Sequence, residues 1–147
     1  MHVFRSMIID APIEKTWAAV RAFDGVAAWN PGVEGATLEN GAATQVGVVR
    51  SLKIADGTIF RETLLTHSDV ETFYTYDILE SPLPVTGYVS IHRFIPITHG
   101  QQTLSIWESW FECAPDNAAE MEQVVGDTIY IGGMAGLNRF MKETENG

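Results

Sequence analysis

Hydrophobic and polar residues alternate with the two-residue period of β-strands through most of the chain, and the period lengthens to that of a helix in two places. Val3 to Ile9 reads as an opening strand. After Ala11-Pro12, the spacing of Ile13, Trp17 and Val20 predicts a helix with proline at its first position, where a missing N–H costs nothing. That helix ends near Asp24-Gly25. A second short helical piece over Val26 to Trp29 is stopped by Asn30-Pro31-Gly32, and Val33 to Leu38 returns to strand.

The clearest pattern comes next. Val46 to Ile54, Ala55-Asp56-Gly57 and Thr58 to His67 read as a β-hairpin. Setting Ile54 against Thr58 across the turn puts Leu52 against Phe60, Arg50 against Glu62 and Val48 against Leu64 on one side of the sheet. The other side then carries Ser51, Lys53, Arg61 and Thr63, the polarity of a solvated face. This register aims Arg50 and Glu62 inward.

Two further strands, Thr72 to Leu79 and Val85 to Ile95, flank the loop Glu80-Ser81-Pro82-Leu83-Pro84, and a turn at Thr98-His99-Gly100 leads into a strand from Thr103 to Cys113. Alternation places Tyr74, Tyr76 and Ile78 on one face of the first run, Tyr88, Ser90, His92 and Phe94 on one face of the second, and Trp107, Ser109 and Phe111 on one face of the last. Ile106 and Trp110 make the opposite face of that last strand partly apolar. Beyond Pro115 the period is helical to about Met141, with Asn117 and Glu120 at capping-box spacing. Its apolar residues form two stripes, one of Met121, Val124, Val125 and Thr128 and a rotated one of Met134, Leu137 and Met141, with Gly132-Gly133 between them. A straight helix cannot turn both stripes to one sheet. Either the helix kinks or bulges by one residue at the glycines, or the glycines serve close packing.

A chain of 147 residues, 46% of them hydrophobic, is expected to form one domain over 1–147 around one core. A formal charge of −10 and a pI near 4.6 argue against nucleic acid and anionic membranes as partners, since both require clustered Lys and Arg. No apolar run approaches the roughly 20 residues needed to span a bilayer. Met1 to Asp10 lacks a signal-peptide pattern, so the protein is expected in the cytoplasm. The lone Cys113 excludes an internal disulfide and reads as a small apolar residue. No two histidines stand at metal-ligand spacing, and no nucleophile elbow, phosphate loop or dinucleotide glycine motif is present. The expectation is no metal and no cofactor.

The order of one strand, two short helices, six strands and a long helix is that of the helix-grip fold. With it go Ala11-Pro12-Ile13-Glu14-Lys15-Thr16-Trp17, Phe23-Asp24-Gly25, Trp29-Asn30-Pro31-Gly32-Val33 and Val46-Gly47-Val48-Val49-Arg50-Ser51-Leu52. Asp56-Gly57, Arg61-Glu62, Tyr76-Asp77-Ile78-Leu79-Glu80-Ser81-Pro82-Leu83-Pro84-Val85 and Tyr88 complete the set. In these motifs the chain resembles the SRPBCC superfamily of START-like and birch-pollen-allergen-like proteins, and within it the bacterial polyketide cyclase/dehydrase-like subgroup. The resemblance implies an α+β class: a curved antiparallel sheet of about seven strands wrapped around a long C-terminal helix, with two short helices after the first strand. Gly126 to Gly133 is one residue longer than that pattern. Ser81-Pro82-Leu83-Pro84 matches in position the gate loop of hormone receptors in the same superfamily, or is simply a rigid turn.

Such a fold implies a cavity for a small hydrophobic or aromatic molecule. Trp29, Phe60, Tyr76, Tyr88, Phe94 and Trp107 are the candidate aromatic lining, with Leu83, Val125 and Thr128 beside them. Arg50 and Glu62 read either as an inward ion pair of little net stabilising value or as a site in which Arg50 holds a ligand oxygen and Glu62 moves a proton. His92, on the face of Tyr88, reads either as a general acid or base or as a hydrogen-bonded core histidine. Two function classes follow. One is a cyclase or dehydratase in which Arg50, Glu62, Tyr88 and His92 manage protons on a polyketide-like substrate. The other is a carrier or sensor of an apolar metabolite. A third reading uses the outward Trp110 in a contact between two copies.

Overall fold

The computed structural model describes residues 1–146. Strand β1 (His2–Ile9) is followed by helices α1 (Ile13–Val20) and α2 (Val26–Trp29), then by β2 (Val33–Leu38), β3 (Val49–Ile54), β4 (Ile59–Ser68), β5 (Phe73–Asp77), β6 (Thr86–Ile97) and β7 (Gln102–Glu112). The seven strands form one antiparallel sheet in the order β1-β7-β6-β5-β4-β3-β2. The sheet is curved and a long C-terminal helix lies across it, which is the helix-grip fold. Pro12 caps α1 rather than opening it, a shift of one position.

The β3–β4 hairpin has the register that polarity alone implied: Arg50 faces Glu62 and Leu52 faces Phe60. Its turn is held by Asp56, whose Oδ1 accepts hydrogen bonds from the Thr58 N–H at 2.9 Å and the Thr58 hydroxyl at 2.7 Å. Gly57 supplies the positive φ of 91° that an L side chain resists. Strand β5 is shorter than the alternation suggested, because Leu79 and Glu80 leave β6 to bridge Arg61 instead. On β7, Trp107, Ser109 and Phe111 face inward and Trp110 lies 47% exposed with its ring stacked on His2 at 4.9 Å.

The closing helix starts with a 3-10 turn, Pro115–Asn117, continues as α3 (Ala118–Gln123), becomes a π-helix over Val124–Ile131 and ends as α4 (Gly132–Asn146). The expected capping box is not made. Asn117 ends the 3-10 turn in a helical conformation, and its side chain accepts no hydrogen bond from α3. The two apolar stripes are reconciled by the π segment: Met121, Val125, Tyr130, Met134, Leu137 and Met141 are all buried, and the single step of five residues, from Val125 to Tyr130, falls inside it. The bulge therefore lies before the glycines. The glycines serve close packing as well, since a Cβ on Gly133 would stand 2.8 Å from the Trp107 ring and one on Gly136 would stand 2.7 Å from the Trp29 carbonyl oxygen. On the other side, Arg5 of β1 donates to Asp127 and Glu122, each at 3.1 Å, tying the π segment to the sheet. Among the described residues no helix is long and apolar enough to cross a membrane.

Candidate functional site

A cavity of about 300 Å³ lies between the open end of the sheet and the π segment. The sheet contributes Arg50 and Leu52 from β3, Phe60 and Glu62 from β4, Tyr76 from β5, Tyr88 from β6 and Trp107 from β7. These come from successive strands, and alternation turns each of them to the same concave face. The helix contributes Val124, Thr128 and Ile129; the corner after α2 contributes Val26, Asn30 and Val33; and Pro82 and Leu83 close one side. Asp56 and Thr58, at the hairpin tip, complete the wall.

Arg50 is buried to 2% exposure and Glu62 to 5%. The guanidinium donates Nε–H to Glu62 Oε1 at 2.8 Å, holds Nη2 at 2.7 Å from the same oxygen and donates Nη1–H to the Phe23 carbonyl at 2.8 Å. It also lies over the Phe23 ring at 3.9 Å. Both partners thus spend their charge on each other, with one exception: Glu62 Oε2 receives no hydrogen bond from any described residue. Burial pushes the Glu62 carboxyl above its ordinary value, with the Arg50 charge pulling the other way and Asp77 adding to the rise.

The second polar group is a hydroxyl chain. Tyr88 and Tyr130 are hydrogen-bonded through their phenol oxygens, Tyr130 is 3.1 Å from the Ser90 hydroxyl, and Ser90 donates to the Glu108 carbonyl at 2.9 Å. Tyr76 accepts the Trp107 indole N–H at 3.0 Å. Burial raises the Tyr76 and Tyr88 phenols well above their usual value and Tyr130 to about 12, so all three stay neutral at physiological pH.

Of the residues singled out in the sequence, Arg50, Glu62, Tyr88, Phe60, Tyr76, Trp107, Leu83 and Thr128 lie in the cavity wall, and His92, Trp29, Phe94 and Val125 do not. The His92 ring is stacked on Trp107 at 4.1 Å and its Nε2 pairs with the Ser105 hydroxyl at 2.9 Å. Burial, then the Arg50 charge, depresses its pKa well below that of a free imidazole, leaving it a neutral core residue. Phe94 packs on Trp17 of α1 at 6.0 Å, so α1 fills the end of the sheet where it sits. The Trp29 ring packs on Trp107 at 6.2 Å, and its backbone carbonyl lies against Gly136 of α4. The π segment turns Val125 fully into the core and presents Val124 and Ile129 to the cavity in its place.

Sequence reasoning missed Tyr130, which completes the hydroxyl chain; its only signal was its distance of five residues from Val125, meaningful once a π turn is known. It also missed the α2 corner, because Val26 and Val33 carry no chemistry that marks them. Among the described residues no group of three His, Cys, Asp or Glu side chains is placed to hold a metal ion.

A curved sheet gripping a long helix over an internal apolar cavity defines the helix-grip class of the SRPBCC superfamily. Within it, the chain belongs to the family described as polyketide cyclase/dehydrase and lipid transport, whose model matches residues 1–139. Among solved structures, the protein XoxI from Bacillus cereus is 28% identical with a TM-score of 0.88, covering 98% of this chain and 97% of its own. An uncharacterised protein from Bacillus thuringiensis is also 28% identical at a TM-score of 0.88, covering 97% of this chain and 99% of its own. Norcoclaurine synthase from Thalictrum flavum, in complex with dopamine and hydroxybenzaldehyde, shares the fold at 12% identity and a TM-score of 0.76, covering 97% of this chain and 87% of its own. No curated protein matches the sequence. Family and fold together support a hydrophobic ligand-binding role.

Proposed function

We propose that the protein binds a small aromatic, polyketide-like molecule in this cavity and that Glu62 moves a proton on it. The observation that carries the reading is the unpaired Oε2 of Glu62, a carboxylate oxygen of the cavity wall whose companion oxygen is anchored by Arg50. Oε2 is not one of the fully enclosed polar atoms left without a partner; it keeps accessible surface, and in a residue of the cavity wall that surface is open to a ligand donor. In this reading Oε2 takes a proton from an acidic C–H or O–H of the ligand and returns it at the position where a ring closes or water leaves. Arg50 orients the carboxylate and keeps its pKa from rising further. Tyr88 and Tyr76 position the ligand, Phe60, Trp107, Leu83 and Thr128 shape its seat, and His92 takes no part.

One observation favours the alternative of a non-catalytic carrier or sensor. Tyr88 is bonded to Tyr130, Tyr76 accepts from Trp107, and burial raises both phenols of the wall well above their usual value, so Glu62 is left as the leading candidate for proton transfer among the described residues of the wall. The experiment is native mass spectrometry of the protein purified from its own host, with Leu83→Trp as the filled-cavity control. A retained small molecule that is absent from the variant is the expected result. A wild-type protein that is empty and also takes up no added aromatic compound would overturn the proposal. If the retained molecule is released chemically unchanged after incubation, and Glu62→Gln holds it equally well, the carrier reading replaces the enzymatic one.

A further inference from the structure

The hydrogen bonds already made around the cavity restrict the chemistry of the molecule it takes. This deepens the ligand-binding reading above and rests on it. Ser90 has one hydroxyl proton, and it is committed to the Glu108 carbonyl at 2.9 Å. The 3.1 Å contact between Ser90 and Tyr130 therefore needs the proton of Tyr130. Tyr130 then has none left for Tyr88, so Tyr88 must donate to Tyr130. The proton chain runs one way, from Tyr88 through Tyr130 to Ser90 and the backbone, and the Tyr88 oxygen has only lone pairs left to offer the cavity.

Glu62 Oε2 is likewise an acceptor. Arg50, the one cationic side chain of the wall, turns Nε, Nη1 and Nη2 to Glu62 and the Phe23 carbonyl, so its charge is neutralised in place. Besides that pair the charged side chain of the wall is the acidic Asp56, and the chain as a whole carries −10. The donors left to the wall, the Tyr76 hydroxyl among them, are neutral, so an anionic ligand group would sit beside the Glu62 carboxylate in a low-dielectric space with no free cation among the described residues of the wall to pair with it.

We infer that the cavity selects aromatic molecules carrying a hydroxyl donor, and rejects their carboxylates. A phenol or alcohol gives its proton to Glu62 Oε2, the charged acceptor, whereas a carboxylate has none to give. Arg50 thus serves to hold Glu62 as an acceptor, and is not itself an anion receptor.

Three compounds of one shape test this: naphthalene, 2-naphthol and 2-naphthoate, titrated into the whole protein at neutral pH with calorimetry as the readout. A hydrogen bond to a charged acceptor predicts that 2-naphthol binds roughly tenfold or more tighter than naphthalene, with 2-naphthoate weakest. Replacing the ion pair as a unit, Arg50→Met with Glu62→Leu, is expected to shrink the margin of 2-naphthol over naphthalene to below about threefold, the loss of that same hydrogen bond. If 2-naphthoate binds as tightly as 2-naphthol, Arg50 is an anion site and the inference fails. It fails too if naphthalene equals 2-naphthol, or if the double variant keeps the full margin. Should none of the three bind, the cavity reading itself falls and takes this inference with it.

Discussion

Arg50 and Glu62 face each other on β3 and β4 with almost no exposure, and each leaves the other uncompensated if one is removed. Truncating Arg50 to Met strands a carboxylate in the interior, and truncating Glu62 strands a guanidinium. Either change is expected to cost about 3–5 kcal/mol of folding stability, the usual penalty for breaking a buried pair. Replacing both, Arg50→Met with Glu62→Leu, removes the two desolvation costs together and should recover most of the loss. Urea denaturation of the two single variants and the double variant measures this. A double variant no more stable than Arg50→Met alone would mean that the pair matters through its bonds to Phe23 and the surrounding rings rather than through mutual charge. The inward orientation of both residues was legible in the sequence, because the polarity of Ser51, Lys53, Arg61 and Thr63 permits only one register. The free Oε2 was not legible, since it depends on which oxygen the guanidinium chooses.

At the scale of elements, α4 is held against the corner after α2 by backbone proximity. A methyl group on Gly136 would run into Pro31 Cδ and lie 2.7 Å from the Trp29 carbonyl oxygen, neither of which can swing aside. Gly136→Ala should therefore destabilise by about 1–3 kcal/mol, as overpacking does. Gly132 in the same helix meets nothing nearer than the Asp127 carbonyl oxygen at 3.8 Å, so Gly132→Ala should stabilise by up to about 1 kcal/mol through helix propensity. Urea midpoints for the two variants that move in the same direction would remove the close-packing argument. Strand order of faces and the phase error between the helix stripes were both readable from spacing. The position of the five-residue step was not, because the stripes locate a break only somewhere between Thr128 and Met134, and the π segment begins ahead of that at Val124. Alternation also says which residues point inward, but not where the interior is empty. His92 and Phe94 share a face with Tyr88, yet α1 and the rings of Trp17 and Trp29 fill their end of the sheet. That filling depends on contacts between elements far apart in the chain, which no local pattern records.

For the molecule as a whole, the four tyrosines of the chain, Tyr74, Tyr76, Tyr88 and Tyr130, are a built-in reporter of the closed interior. All four are buried, with exposures of 1%, 2%, 6% and 0%. Desolvation raises each phenol above its ordinary pKa of 10, and Tyr130 to about 12. A group whose native pKa is raised contributes stability that is fully present below the unfolded value and is lost as pH rises through the native one. Between these limits the unfolded chain binds fewer protons than the folded one, so the free energy of unfolding falls with pH. The protein should keep its stability to about pH 10 and lose it steeply above, where unfolded tyrosines ionise. Followed by tyrosinate absorbance, the native protein should show no ionisation near pH 10, then all four phenols together as the fold gives way, while the urea-unfolded chain titrates smoothly around that value. A single phenol titrating near pH 10 with circular dichroism still native would show that water reaches it freely, and the tyrosine concerned would say which wall is open. If it were Tyr88, its oxygen would be met by solvent in the empty protein, and the one-way proton chain to Ser90 would no longer decide what the cavity accepts.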